Sequence, residues 1–174
     1  MDKNGLSLWV CVFGLAVFPT CAAGQTYTNT RFLYAMDYPD SWHVKELGKV
    51  TTFLSPFETH EDKFAENVTV QVENLSVSPV PLSLLDYHRQ AMSEAPKRLP
   101  EFKLLEEAKT EFIGREAIAI LYTATVKGQP FKFKDYKFLI GQDAYVVTYT
   151  ALQDDFEKYL PAAEKVMHSL RVSP

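Results

Sequence analysis

The sequence predicts an α+β domain in which a central antiparallel β-sheet is sandwiched by helices. Three observations predict it. Val68, Val70 and Val72 alternate with Asn67, Thr69 and Gln71, the period-two pattern of a half-buried strand. From Phe102 onward, β-prone runs are separated by short glycine turns, as in a meander. Two segments, around residues 84–95 and 156–170, repeat apolar residues at helical spacing. With 174 residues, of which 47% are hydrophobic, the chain is long and apolar enough to bury a core without disulfide or metal staples.

In chain order, residues 25–37 mix Thr, Tyr and Phe and suit a first strand. Tyr38-Pro39-Asp40-Ser41-Trp42 is a turn set by Pro and Asp. Residues 42–45 and 50–54 read as a hairpin around Gly48, ended by Pro56, and residues 57–65 as a polar, acidic loop. The clean strand at 66–73 follows, then a proline-punctuated connection over 76–81. Ser83-x-x-Asp86 resembles a capping box, and Leu84, Leu85, His88, Ala91, Met92 and Ala95 form a helical stripe that Pro96 and Pro100 are expected to stop. Meander strands are predicted over 102–113, 115–127, 130–140 and 144–151. In the third, Phe131 and Phe133 fall on one face while Tyr136, Phe138 and Ile140 fall on the other, a change of phase that predicts a β-bulge near Lys134-Asp135. Phe156, Tyr159, Leu160, Ala163, Val166, Met167 and Leu170 make the last helix amphipathic; Pro161 either kinks it or opens its main segment.

Residues 1–24 read as a secretory signal peptide ahead of a single domain at 25–174. Lys3 supplies a weakly positive start, residues 6–18 are apolar but short of the roughly 20 that span a bilayer, and Pro19 and small residues follow. Cleavage is expected after Ala23 or Gly24; the alternative is a retained N-terminal anchor. Cys11 and Cys21 both lie in this segment, so no disulfide framework or thiol nucleophile is expected in the mature chain. A form lipid-anchored through Cys21 is the alternative to plain cleavage, although Phe18-Pro19-Thr20 matches the small-residue processing pattern poorly. The expected location is the periplasm or the extracellular space, peripheral to the membrane at most.

The order of several landmarks, over about residues 30–172, resembles the PsbP-like family. They are Tyr38-Pro39-Asp40-Ser41-Trp42, Phe53-Leu54-Ser55-Pro56, Glu66-Asn67-Val68-Thr69-Val70, Tyr145-Val146-Val147-Thr148-Tyr149 and the closing Ser169-Leu170-Arg171-Val172. The resemblance implies an α/β/α sandwich and a non-enzymatic role, among photosystem II extrinsic subunits, thylakoid assembly factors and bacterial envelope proteins of the DcrB-like type. The simple, bacterial-looking signal segment favours the envelope branch.

Candidate chemistry is sparse. A net charge of −4 gives no electrostatic case for nucleic-acid binding. His43, His60, His88 and His168 show no metal-ligand spacing. The strongest metal candidate is the acidic loop, where His60 sits among Glu58, Glu61 and Asp62; the competing reading is a solvated loop. No GxSxG elbow, P-loop or GxGxxG occurs, Ser93 and Lys97 have the wrong spacing for SxxK, and neither catalytic residues nor a cofactor is expected. Lys132 and Lys134 share one face of their strand and are candidates for contact with an acidic partner; the competing reading is lysine protection of an exposed sheet edge. On the sequence alone, reversing their charge should leave the fold intact. The expected function is a non-catalytic accessory or assembly domain that binds a protein partner in the envelope. The alternative is a carrier of a small apolar or lipidic ligand, for which the crowd of Phe131, Phe133, Tyr136, Phe138, Tyr145 and Tyr149 is the candidate lining.

Overall fold

The computed structural model describes residues 24–62, 64–76 and 80–173. The signal segment, with Cys11 and Cys21, lies outside these residues apart from Gly24. The elements are β1 (Gly24–Asn29), β2 (Tyr34–Pro39), β3 (His43–Leu47), β4 (Val50–Leu54), β5 (Asn67–Asn74), α1 (Leu84–Arg98), β6 (Lys103–Phe112), β7 (Arg115–Val126), β8 (Gln129–Ile140), β9 (Asp143–Leu152), α2 (Phe156–His168) and β10 (Arg171–Val172). Seven strands form one antiparallel sheet in the order β3-β4-β5-β9-β8-β7-β6, and β1-β2-β10 form a small second sheet.

Both faces of the large sheet are used, because consecutive side chains on a strand point to opposite sides. One face carries Phe53, Val68, Val70, Val72, Phe138, Tyr145, Val147 and Tyr149, packed with Tyr34 and Met36 of the small sheet and Phe156, Ala163, Val166 and Met167 of α2. The other carries Ile118, Ile120, Tyr122, Ala124, Phe131 and Phe133, covered by Leu84, Leu85 and Met92 of α1. The three valines of β5 are all buried against the first core, as their alternation requires. At one end Ser55 and Glu66 tie β4 to β5: Ser55 N–H donates to the Glu66 carbonyl at 2.8 Å, and its hydroxyl to Glu66 Oε2 at 3.3 Å.

The first strand expected over 25–37 is in fact two. Asn29 Oδ1 accepts the N–H groups of Arg31 (3.1 Å) and Phe32 (2.9 Å), a side-chain turn that reverses the chain and pairs β1 with β2. Helix α1 also departs from expectation. Ser83 caps it as the sequence suggests, accepting from Asp86 N–H at 3.1 Å, but Pro96 lies inside the helix, which runs to Arg98. Pro96 removes the N–H that would bond the Met92 carbonyl, yet the last turn continues, with Leu99 N–H donating to the Ala95 carbonyl at 2.9 Å. Pro161 likewise sits inside α2.

The bulge predicted near Lys134-Asp135 is absent. Residues 129–137 of β8 pair with β7, and residues 131–140 with β9, in unbroken register. Parity is kept: Phe131, Phe133, Asp135 and Lys137 face α1, while Lys132, Lys134, Tyr136 and Phe138 face α2. The apolar pattern changes phase because the two helices cover different stretches of one strand. The irregularity falls on β6, between Leu104 and Glu106.

Burial of the Glu66 carboxyl, 2% exposed, pushes its pKa up from 4.5, with nearby Asp62 adding to the shift. A raised carboxyl pKa favours folding below the unfolded value and loses that contribution as pH rises through the folded value. Glu66→Gln is therefore expected to melt higher than wild type near neutral pH and to lose that advantage as the pH falls to about 4. Thermal melts across this range test it; a constant difference would contradict it.

Candidate interaction surface

Lys132 and Lys134 project from the α2 face of β8, and β8 is flanked on both sides by β9 and β7, so neither lysine guards a sheet edge. Each meets a glutamate of α2. Lys132 Nζ lies 2.7 Å from Glu157 Oε1 and 4.5 Å from the centre of the Phe156 ring. Lys134 pairs with Glu164, which also receives His168 at 3.0 Å. Burial pulls the Lys134 pKa down, but Glu164 and the Tyr136 hydroxyl outweigh it and hold the pKa above the usual lysine value. The two lysines thus clamp α2 to the sheet. Lys134→Glu would set a carboxylate against Glu164 in a partly buried site. Its expected cost is roughly 1–3 kcal/mol without loss of cooperative folding, checked by urea unfolding of Lys132→Glu and Lys134→Glu; unchanged midpoints would refute it.

Beside this clamp the sheet is left uncovered. Lys132, Lys134, Phe156, Glu157 and Leu160 form one wall of a trough of about 310 Å³, with Ala119 and Leu121 of β7 in its floor and Glu106 and Ala108 of β6 as its outer rim. Strand β6 closes the sheet on this side. Residues 103–111 are all exposed and only Phe112 is buried. Leu104 and Leu105 stand 38% and 41% exposed, notable for large apolar side chains on a strand with no outer neighbour.

A second groove, about 700 Å³, runs along α1 between Tyr87, Ala91, Ala95 and Leu99 and the end of β5 at Glu73 and Asn74. Beneath α1 lies a set of polar groups, of which sequence reading placed only His88 on a buried stripe. Asp135 and Lys137 are 4% and 5% exposed, with Lys137 Nζ 3.7 Å from Asp135 Oδ2. His88 is buried, its Nε2 3.2 Å from Glu107 Oε2, and the Tyr87 hydroxyl donates to Glu73 Oε2 at 3.1 Å. Burial pushes the Asp135 carboxyl up and the Lys137 ammonium down, each opposed by the other's charge. The alternation itself was the available signal: Phe131 and Phe133 continue on the same face into Asp135 and Lys137.

The acidic loop does not gather its donors. Glu58 pairs with Lys158 of α2 at 2.6 Å, which draws the carboxyl below its usual value. Asp62 is turned inward, its Oδ2 accepting from Glu58 N–H at 3.1 Å and its Oδ1 from Phe64 N–H at 3.2 Å. His60 and Glu61 point into solvent. Among the described residues no group of three or more His, Cys, Asp or Glu side chains is placed to hold a metal ion. The aromatic crowd is packed against itself: Phe138 stacks on Tyr145 with centroids 5.2 Å apart, Tyr122 on Phe133 at 4.7 Å, and Phe112 on Tyr136 at 4.2 Å. No described helix is long and apolar enough to cross a membrane.

No protein-family model and no curated protein matches the sequence. Solved structures do. PA94 of Pseudomonas aeruginosa, a protein of unknown function, superposes with a TM-score of 0.63 at 19% identity, over 87% of this chain and 98% of its own. The cyanobacterial PsbP (CyanoP) of Synechocystis sp. PCC 6803 gives 0.64 at 16% identity, over 92% and 99%. LpqN, involved in cell envelope biogenesis of Mycobacterium tuberculosis, gives 0.56 at 15% identity, over 87% and 86%. The order of landmarks in the sequence and the superposition over nearly whole chains agree: this protein has the PsbP-like α+β fold.

Proposed function

We propose that the protein is a non-catalytic, exported accessory or assembly factor of the cell envelope that acts by binding another protein. The observation that supports this reading is the outer edge of β6, ten residues long, exposed along nearly its whole length and carrying two uncovered leucines. Such an edge presents a row of backbone donors and acceptors to which a partner strand can add. The adjoining trough extends the surface inward to the wall where Lys132 and Lys134 pair with glutamates of α2. A protein of the same fold, LpqN, is involved in cell envelope biogenesis. The carrier alternative would use the groove along α1, since the aromatic residues once candidates for a ligand lining are packed as core.

Site-specific photo-cross-linking in cells tests the proposal, with the photoreactive group at Leu105 or Lys109 on β6 and at exposed Lys165 on α2 as the control. Reproducible adducts from β6 to one envelope protein, absent from the control, are expected. Equal, diffuse labelling from both positions would overturn it, and lipid found bound in native mass spectrometry would transfer the reading to the carrier.

A further inference from the structure

The hairpin joining β6 to β7 fixes which backbone groups of β6 point outward. Ile113 (φ 49°) and Gly114 (φ 75°) both have positive φ, as the central residues of a type I′ turn do. The residues flanking such a turn, Phe112 and Arg115, form a hydrogen-bonded pair, and the pattern then alternates along the ladder. Thr110–Ala117 and Ala108–Ala119 are thus hydrogen-bonded pairs too. The backbone N–H and C=O groups of Glu107, Lys109 and Glu111 consequently face away from β7, toward the side where the sheet ends.

We propose that β6 pairs antiparallel with β6 of a second copy of this chain, about a two-fold axis through Ala108, joining two sheets into one. This rests on the reading of β6 as a docking edge and names its occupant. The argument is charge complementarity under symmetry. A two-fold axis relating antiparallel edges stands perpendicular to the sheet, so opposed residues come from the same face and every allowed register is centred on a residue. Centred on Glu107, the pairing sets that carboxylate against its own copy. Centred on Lys109, it opposes two ammonium groups and sets Glu107 against Glu111. Centred on Ala108, it places Glu107 of each copy opposite Lys109 of the other, and both pairs use the outward backbone groups. Glu106 then faces Thr110, and Ala108 meets its own copy at a narrow, non-hydrogen-bonded position with Cα atoms about 4.5 Å apart. Centring on Thr110 would also pair Lys109 with Glu111, but the chain turns away after Phe112. The Ala108 register runs through Glu106 and Thr110 up to Leu105, where β6 departs from regular pairing, and it brings the two α2-side troughs next to each other on one face of the joined sheet.

The test uses the full chain with Cys11 and Cys21 replaced by serine. Under mild oxidation, Ala108→Cys is expected to form a reducible dimer. Glu106→Cys and Thr110→Cys should form no disulfide separately and cross-link when mixed. In sedimentation equilibrium, Lys109→Glu and Glu107→Lys should each weaken self-association about tenfold or more, with thermal melts confirming that both are folded. An equimolar mixture of the two should associate, since each Glu then faces a Lys. A chain that remains monomeric at every concentration, or self-linking of Thr110→Cys in place of Ala108→Cys, overturns the proposal. If the chain is monomeric while β6 cross-links to another envelope protein, self-pairing falls and the docking reading stands. If β6 cross-links to nothing, both fall.

Discussion

Trp42→Ala is expected to lower the stability of the domain by about 3–5 kcal/mol, the range for deleting a large aromatic side chain from a packed core. Trp42 is 8% exposed and belongs to the core between the sheet and α2. Its N–H donates to the Pro39 carbonyl at 2.9 Å, closing the turn between β2 and β3. It therefore sits where the small sheet hands the chain to the edge of the large one, and its loss opens a void that two layers share. For a domain of about 150 residues, a loss of this size lowers the melting temperature by roughly 10 °C. A melt within error of wild type would show that the indole only caps the turn. Trp42→Phe should recover much of the loss, because most of the buried volume is retained.

Where the signal was local, the sequence was informative. The alternating valines of β5, the glycine turns of the meander and the capping serine of α1 each follow from chemistry within a few residues, and the structure shows all three. The failures came from long-range context. The phase change in β8 looked like a bulge because a strand that buries one face along its whole length would need one. In fact α1 covers Phe131 and Phe133 while the core beneath α2 takes Tyr136 and Phe138 from the other face, so a regular strand meets two different cores. The same context misled the reading of Lys132 and Lys134. Lysines on an amphipathic strand suggest an edge, yet the strand order places β8 inside the sheet and β6 at its rim. Strand order was not legible, since a meander leaves open which end of the sheet the earlier strands join. The split of 25–37 into two strands was announced by Asn29, whose side chain makes the turn, but an asparagine among threonines and aromatics is a faint cue.

Lys137→Met should be more damaging than any change at the surface, costing about 3–5 kcal/mol near neutral pH. The reason is what it leaves behind. Asp135 lies against the Tyr122 and Thr148 hydroxyls, and its Oδ1 has no hydrogen-bond partner among the described residues. Without the ammonium, a buried carboxylate must either stay charged in a poor solvent or bind a proton. Its pKa is already raised from 3.8 by burial, with Lys137 the main opposing influence, so deleting that charge raises it further. A group with a raised folded pKa contributes most below its unfolded value and loses that contribution as pH rises through the folded one. The deficit of Lys137→Met should therefore shrink on acidification as Asp135 becomes neutral, and shrink again at alkaline pH, where wild-type Lys137, its pKa lowered by burial, itself loses its charge. The double variant Asp135→Leu/Lys137→Met removes both charges. It should recover most of the stability, because two desolvated ions are exchanged for apolar groups of similar size beneath α1. Urea unfolding of wild type and the two variants at several pH values decides the matter. If the single and double variants lose equal stability at every pH, the pair is merely packed, and the charge on Asp135 plays no part in holding α1 to the sheet.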